Sequence, residues 1–449
     1  MFSLDSLGYL VFVAVLVPVW YRLPAARRWQ AMLAASAVFF LSIDPFGFAV
    51  MLLAALVVWW AAPRAAASRP LGVLGIAAAL CPLLLIKYLG VTPDRLYQPL
   101  GIGYYTLQLV SYLVDTARGG RPAGYARLVC YAGCFLSITQ GPFTRYADTM
   151  AQLQAPRQWD SHRIWRGSMR MAWGYFKKLA IADRAGVVVQ AAFANPAAFD
   201  RSQLLFATVL YSFQLYADFS GYTDIVLGTA EMLGLNLPEN FRQPFLSASV
   251  HELWGRWHMS LGRWLRDYVY IPLGGNRKGT ARRDLNLVLT FLVSGIWHGA
   301  GATYLIWGGL HGLIQAGENH LPRPRRRLAR LCGIAVTFVI FVATFTLFRA
   351  TSLANAAAYF GGILHQPGGR VFSNYWELGL TSRLELLLLL AGIGLLIAVD
   401  LLHEAGIHLR DWVAGLPTPA RWAVYQGAIF AFLLMGSFLS GGGFLYARY

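Results

Sequence analysis

The stretch Leu285-Asn-Leu-Val-Leu-Thr-Phe-Leu-Val-Ser-Gly295-Ile-Trp297-His298-Gly299-Ala-Gly301-Ala-Thr-Tyr304 carries one titratable side chain before its closing tyrosine, the imidazole of His298. An uncharged apolar run of this kind belongs in a bilayer or a buried core, and an ionisable group at such depth is a functional-site candidate. Gly295, Gly299 and Gly301 leave room for another backbone or a ligand to approach closely. An imidazole kept neutral by burial is a competent general base near neutral pH. The same residue also reads as a helix-packing histidine bonded to a carbonyl. His311, thirteen residues on, falls roughly opposite on an ideal helix and is another candidate.

The rest of the chain has the same character. Of its 449 residues 57% are apolar and only 13% charged, and the mean hydropathy is +0.48. Soluble proteins carry about twice that share of charge. A disordered chain, a collagen-like chain and an ordinary cytosolic enzyme are excluded, and a bilayer is the solvent that tolerates the composition. The net charge of +17 does not signal nucleic acid, because the arginines cluster in short segments between apolar runs. Four cysteines give no disulfide framework. Cys130 and Cys134 lie four residues apart in an apolar stretch with no third ligand at metal spacing, and read as buried thiols.

Apolar segments lie at about 7–20, 30–43, 46–62, 71–89, 99–115 and 128–140, and again at about 285–297, 301–317, 331–348, 384–402 and 421–440. Met1-Phe2-Ser3-Leu4-Asp5 has no basic residue, so Leu7–Trp20 is expected to be a retained span rather than a cleaved signal. Arg22, Arg27 and Arg28, then Arg64 and Arg69, then Arg118, Arg121 and Arg127 occupy alternate loops, as does the later run Arg323-Pro-Arg-Arg-Arg327. The positive-inside rule puts these loops in the cytoplasm and the N-terminus outside. Between about 141 and 284 the pattern changes: Arg166–Ile181 reads as an amphipathic helix ending in Lys177-Lys178, and Ser202–Leu235 is apolar yet carries Asp218, Asp224 and Glu231. Such carboxylates cost about 2.5–3.5 kcal/mol each in a membrane, so they must face protein or water.

The densest polar stretch is Ser249-Val-His-Glu-Leu-Trp-Gly-Arg256-Trp257-His258-Met-Ser260-Leu-Gly-Arg-Trp264-Leu-Arg-Asp267-Tyr-Val-Tyr270. Ser249 with Glu252 fits a capping box, and Pro272 with Gly274-Gly275 stops the helix. The Trp/Arg mixture suits an interfacial helix with its rings at headgroup level, and His258 reads as a packed core residue or as a second functional imidazole. Other chemistries fail on spacing: there is no Gly-x-Ser-x-Gly elbow and no Walker loop, and His403-Glu404 meets His408 one residue too late for a zinc-protease pattern.

Several segments resemble, in order, the membrane-bound O-acyltransferase (MBOAT) family, in its bacterial branch of alginate O-acetylation and teichoic-acid D-alanyl transfer proteins. They are Pro99-Leu-Gly-Ile-Gly-Tyr-Tyr-Thr-Leu-Gln-Leu-Val-Ser-Tyr-Leu-Val-Asp115, Gln140-Gly-Pro-Phe-Thr-Arg-Tyr146, Gly174-Tyr-Phe-Lys-Lys-Leu-Ala-Ile-Ala-Asp183, Asp218-Phe-Ser-Gly-Tyr-Thr-Asp224, Pro238-Glu-Asn-Phe-Arg-Gln-Pro-Phe245, Arg256-Trp-His-Met-Ser-Leu261, Trp264-Leu-Arg-Asp-Tyr-Val-Tyr-Ile-Pro-Leu-Gly-Gly-Asn-Arg277 and Trp297-His-Gly299. The first hundred residues and about 320–440 match only in hydropathy. Gly255 and Gly262 stand where relatives often carry bulkier or polar residues.

The resemblance implies an all-α polytopic protein: a ring of about eleven transmembrane helices with amphipathic or re-entrant helices around a central tunnel. One domain spans 1–449, with a catalytic core at 141–320 and an aromatic tail at 441–449. It puts the catalytic histidine at His298 and a second functional position at His258, with candidate substrate contacts at Trp297, Trp257, Arg256, Ser260 and Asp267. His311 is not the essential histidine by this mapping. No tightly bound cofactor or metal is expected. The donor is a cytoplasmic acyl thioester, on coenzyme A or a carrier protein, and the other partners are an extracytoplasmic transferase, a cell-envelope polysaccharide acceptor and membrane lipid. The expected place is the inner membrane. In the tail, Phe444, Tyr446 and Tyr449 match a terminal aromatic pattern of related acyl-transfer systems, so Tyr446 is a candidate acyl carrier; an aromatic girdle is the alternative, and full transfer by Tyr446→Phe would remove the relay. O-acetylation of an exopolysaccharide is the first reading and D-alanylation of an envelope polymer the second. A transporter or flippase using Asp218, Asp224 and Glu231, or a non-catalytic scaffold, is a rival of another class.

Overall fold

The computed structural model describes residues 4–90, 99–322, 326–369, 379–380 and 382–436. Tyr446 and the rest of the tail, and Arg323, Pro324 and Arg325 of the basic loop, lie outside them. The described residues form helices: α1 (Leu7–Arg22), α2 (Ala25–Ile43), α3 (Pro45–Ala67), α4 (Arg69–Leu89), α5 (Ile102–Ala117), α6 (Tyr125–Ala132), α7 (Tyr146–Gln154), α8 (Ser161–Phe176), α9 (Asp183–Ala194), α10 (Arg201–Met232), α11 (Val250–Trp254), α12 (Met259–Leu265), α13 (Thr280–His298), α14 (Ala302–Glu318), α15 (Arg327–Arg349), α16 (Leu353–His365), α17 (Arg383–Glu404), α18 (Leu409–Ala414) and α19 (Thr418–Met435). Wider π-helical turns follow α8 at Lys177–Ala182 and α12 at Arg266–Tyr270. Polar caps start several of the apolar helices. Ser6 accepts from the Tyr9 amide, Asp44 from that of Gly47, and Ser382 from that of Glu385, each satisfying a donor that the first turn leaves open.

Among the described residues four helices are long and apolar enough to cross a membrane by length and composition: Pro45–Ala65, Arg69–Leu89, Arg327–Arg349 and Arg383–Glu404; Leu7–Arg22 is a shorter apolar helix. The helices and their apolar runs agree with the expected all-α polytopic class. Some apolar runs are also packed in protein. In α5, only 16 residues long, the buried set runs almost unbroken from Tyr104 to Leu113.

The chain divides into two compact units. Residues 1–171, 222–239 and 260–272 form the first, and residues 172–221, 240–259 and 273–449 the second. In the first, the Arg28 guanidinium binds the carbonyls of Ala155 and Arg157, and the Trp59 indole donates to the Ala123 carbonyl. The carboxylates of α10 are spoken for: Asp224 pairs with Arg170 at 2.9 Å and Glu231 with Arg166 at 3.3 Å. In the second unit Asp218 pairs with Lys178 at 3.0 Å. As the cation's number rises its partner's falls, so α8 and its π turn run antiparallel to α10. Glycines bring them close: a Cβ on Gly167 would strike the Gly228 carbonyl, and one on Gly221 the Gly174 carbonyl.

Two expectations need correction. Lys177 and Lys178 do not end the amphipathic helix. The chain continues through the π turn into α9, and both ammonium groups are buried. Residues 249–270 are not one interfacial helix either. α11 stops after five residues, and His258 takes a left-handed backbone (φ 45°) before α12 begins. Trp257 and Trp264 are buried in protein rather than exposed on an outer face. Two backbone bonds hold the break, Arg242 N to Arg256 O and Met259 N to Asn240 O, both 3.0 Å. The capping box is half formed: Ser249 accepts from the Glu252 amide, while the Glu252 carboxylate takes the Ala248 amide.

Candidate active site

The site in the second unit is built on the α13–α14 hairpin. Glycines let its helices meet backbone to backbone: Gly295 lies against the Tyr304 carbonyl, Gly308 against that of Phe291, and Gly312 against Val288. α13 ends on His298 because extended Gly299 breaks it, and the Tyr304 ring covers that glycine. At the open base of the hairpin, the Asp284 carboxylate receives Arg283, Asn319 and His320 at 2.7–3.0 Å. Arg283 first, then His320 and Asn319, hold Asp284 down to about 2 from 3.8. A carboxyl depressed in the folded state stabilises above its unfolded pKa, and that contribution disappears as pH falls through the folded one. The thermal-stability advantage of the wild type over Asp284→Asn is therefore expected to be constant above about pH 4 and to vanish as pH falls from 3.8 to about 2. Melting curves across that range check it.

His298 is 4% exposed. Its imidazole is ringed by aromatic side chains, with Trp297 at 4.7 Å between centroids and Phe348 and Trp307 edge-on at 5.2 and 5.3 Å. His258, 1% exposed, meets the other participant: its ring lies 6.3 Å from Trp297 and 4.7 Å from Phe219. Two histidines 40 residues apart in sequence thus share Trp297 as a neighbour. Such an aromatic surround lowers the local dielectric, keeps an imidazole neutral and strengthens any dipole acting on a carbonyl brought into it.

His311 is occupied differently. The Trp254 indole N–H donates to His311 Nδ1 at 3.2 Å, which leaves the proton on Nε2 to donate to Thr344 Oγ1 at 3.0 Å. The Thr344 hydroxyl passes on to the Ile340 carbonyl at 2.7 Å. The network assigns one neutral tautomer and uses both ring nitrogens to tie α11, α14 and α15 together.

Trp257 packs among Phe241, Phe341 and Phe345 at 5.0–5.7 Å. The Arg256 guanidinium lies between carboxylates, bidentate to Glu404 at 2.6 and 3.0 Å and bonded to Glu252 at 2.7 Å. Its hydrogen bonds to Glu404 raise its pKa above the usual value.

Ser260 and Asp267 belong to the first unit, where both line a cavity of about 620 Å³ with Phe143, Arg145, Gln152 and Arg263. Ser260 Oγ accepts from the Phe143 amide at 3.0 Å. Asp267 binds Arg145 at 2.5 Å, and Arg145 lies 4.3 Å from the centre of the Tyr268 ring. Arg263 has no carboxylate within ion-pair reach among the described residues, and its Nη2 is buried without a hydrogen-bond partner. Burial, then neighbouring Arg266, push its pKa down. Sequence reasoning missed Arg263, Trp307 and the buried lysine pair. Only the lysine pair left a signal, two adjacent cations between apolar residues.

The sequence profile of MBOAT, the membrane-bound O-acyltransferase family, matches residues 106–350, more than half of the chain, and the protein belongs to that family, whose members are multi-pass membrane proteins. The chain is similar to a probable alginate O-acetylase AlgI of Pseudomonas putida (37% identical over 341 residues, 74% of this chain and 66% of the relative). It is similar also to a peptidoglycan O-acetyltransferase of Helicobacter pylori (31% over 306 residues, 61% and 58%) and a teichoic acid D-alanyltransferase of Bacillus subtilis (28% over 272 residues, 55% and 67%). In three Pseudomonas AlgI relatives the match spans 57% to 66% of their length.

Proposed function

We propose that the protein is a membrane O-acyltransferase of the inner membrane, N-terminus outward, that takes an acyl group, acetyl in the first instance, from a cytoplasmic thioester for O-acylation of an exopolysaccharide or other envelope glycan. The observation that carries this reading is the pair of buried imidazoles, His298 and His258, both against Trp297 in a chain of this family. The higher identity to the alginate relatives favours O-acetylation, and the likeness to the teichoic acid enzyme keeps D-alanyl transfer as the second reading. The pairing of Asp218, Asp224 and Glu231 with cations takes away the free intramembrane carboxylates on which a transport reading rested.

In the chemistry, a hydroxyl oxygen attacks the thioester carbonyl and its proton passes to neutral His298. His258 polarises the carbonyl. The C–S bond then breaks, and His298 returns the proton to the leaving thiolate, so one ester and one thiol form and the enzyme is unchanged. Tyr446 is a candidate first acceptor of the acyl group. An extracytoplasmic transferase would carry it to the polymer.

The cavity of the first unit suits the donor. A thioester on coenzyme A or on a carrier protein has the same phosphopantetheine arm, and the uncompensated Arg263 guanidinium offers a partner for its phosphate. An ionic hydrogen bond contributes about 1.5–3 kcal/mol, so Arg263→Gln is expected to raise the donor KM about tenfold to a hundredfold with kcat unchanged. An unchanged KM removes the cavity from the donor path. The test of the function itself is purified protein reconstituted in lipid vesicles with a labelled acetyl thioester and a glycan acceptor: ester formation supports the reading, while movement of label across the vesicle wall without bond cleavage overturns it.

A further inference from the structure

Within the second unit, the π turn after α8 buries two adjacent ammonium groups. Lys178 Nζ lies 2.8 Å from Asp183 and 3.0 Å from Asp218, with Lys178 and Asp218 each 1% exposed. Lys177 Nζ donates to Ser220 Oγ at 2.8 Å. Burying such groups is costly unless their geometry is fully satisfied, and a π turn marks a place where a regular helix has given way to a local demand. The residue between the two anchored positions is Phe219. It is fully buried, its ring meets His258 edge-on at 4.7 Å, and Phe241 lies 4.9 Å away. Phe241 is also the residue between Asn240 and Arg242, whose backbone bonds hold the left-handed turn at His258. The ion pair joins Lys178 to Asp218, the backbone joins Asp218 to Phe219, and the edge-on contact joins that ring to the imidazole.

We propose that Lys177 and Lys178 are positioning residues for His258: by anchoring Ser220 and Asp218 on either side of Phe219 they fix that ring, and the ring fixes the plane of the His258 imidazole against the acyl carbonyl. The inference rests on the acyltransferase reading and adds to it a source for the orientation of the second histidine. A left-handed non-glycine residue has little backbone preference for its observed pose, so its side chain needs an external reference. A displacement of about 1 Å at such a group costs about a hundredfold in rate.

The experiment is a double-mutant cycle on detergent-purified, full-length protein turning over a labelled acetyl thioester. Phe219→Leu and Lys178→Met are each made in the wild-type and in the His258→Ala background. Expected are about a tenfold to hundredfold fall in kcat with donor KM unchanged in the wild-type background, and less than a twofold further fall in His258→Ala, because residues that act through one group lose their effect once it is gone. Phe219→Leu leaves the buried charges intact and so reports even if Lys178→Met does not fold. Equal losses in both backgrounds, or a Phe219→Leu enzyme as fast as wild type, overturn the proposal. An inactive wild-type protein overturns the acyltransferase reading instead.

Discussion

His298→Ala is expected to lower acyl-transfer kcat by about 10²–10⁴-fold, the usual worth of a positioned general base. The imidazole is 4% exposed, with Trp297, Trp307 and Phe348 against it, and burial of this kind limits rescue by a base from bulk solvent. The rate should fall with little change in donor KM, because the proton is transferred in the transition state and not on binding. Alanine also leaves a cavity among these rings, and a second variant, His298→Gln, separates the effects by filling most of the space without a base of suitable pKa. Both variants should be slow, and Gln should melt closer to wild type. Turnover within twofold of wild type in the Gln variant would remove His298 from the reaction.

The second large effect falls on stability, at two neighbouring glycines of α14. A Cβ on Gly308 would press on the Phe291 carbonyl and lie 3.3 Å from the Gly295 Cα, both backbone of α13. A Cβ on Gly309 meets only the Leu292 side chain, at an ordinary 3.5 Å. Helix backbones cannot step aside as side chains can, so Gly308→Ala is expected to cost about 1–3 kcal/mol. Gly309→Ala gains up to about 1 kcal/mol from helix propensity. The sign should therefore reverse between adjacent residues in a melting experiment. Gly308→Ala should also slow turnover, since α13 carries His298 at its end. Equal effects at the two positions would mean that the α13–α14 contact is looser than the geometry here.

Hydropathy located the membrane-type helices, because a bilayer or a core leaves its mark on every residue of a run. It does not distinguish a run that faces lipid from one packed in protein, as in α5. The candidate site was legible at His298, a lone imidazole in an uncharged run, and at its glycines, whose close approach to α14 followed from side-chain size alone. His258 was legible only through its motif. Its turn was not, since the propensities of Ser249–Tyr270 favour one helix and the break is imposed by pairing with residues 240–242. The exposure of these tryptophans was misjudged for a related reason: indole suits an interface and a core equally, and composition cannot choose between them.

What the sequence by itself determined was the helical class, the apolar runs, and a histidine whose surroundings forbid any other ionisable neighbour along the chain. Only the tertiary structure decided what pairs with what: that Trp297 lies against both imidazoles, that His311 spends both nitrogens on packing, that Arg256 sits between Glu404 and Glu252, and that Lys178 is buried between two aspartates. Patterning along a chain records the average solvent of each segment, whereas ion pairs and ring contacts join residues tens to hundreds of positions apart, and no local rule encodes the partner.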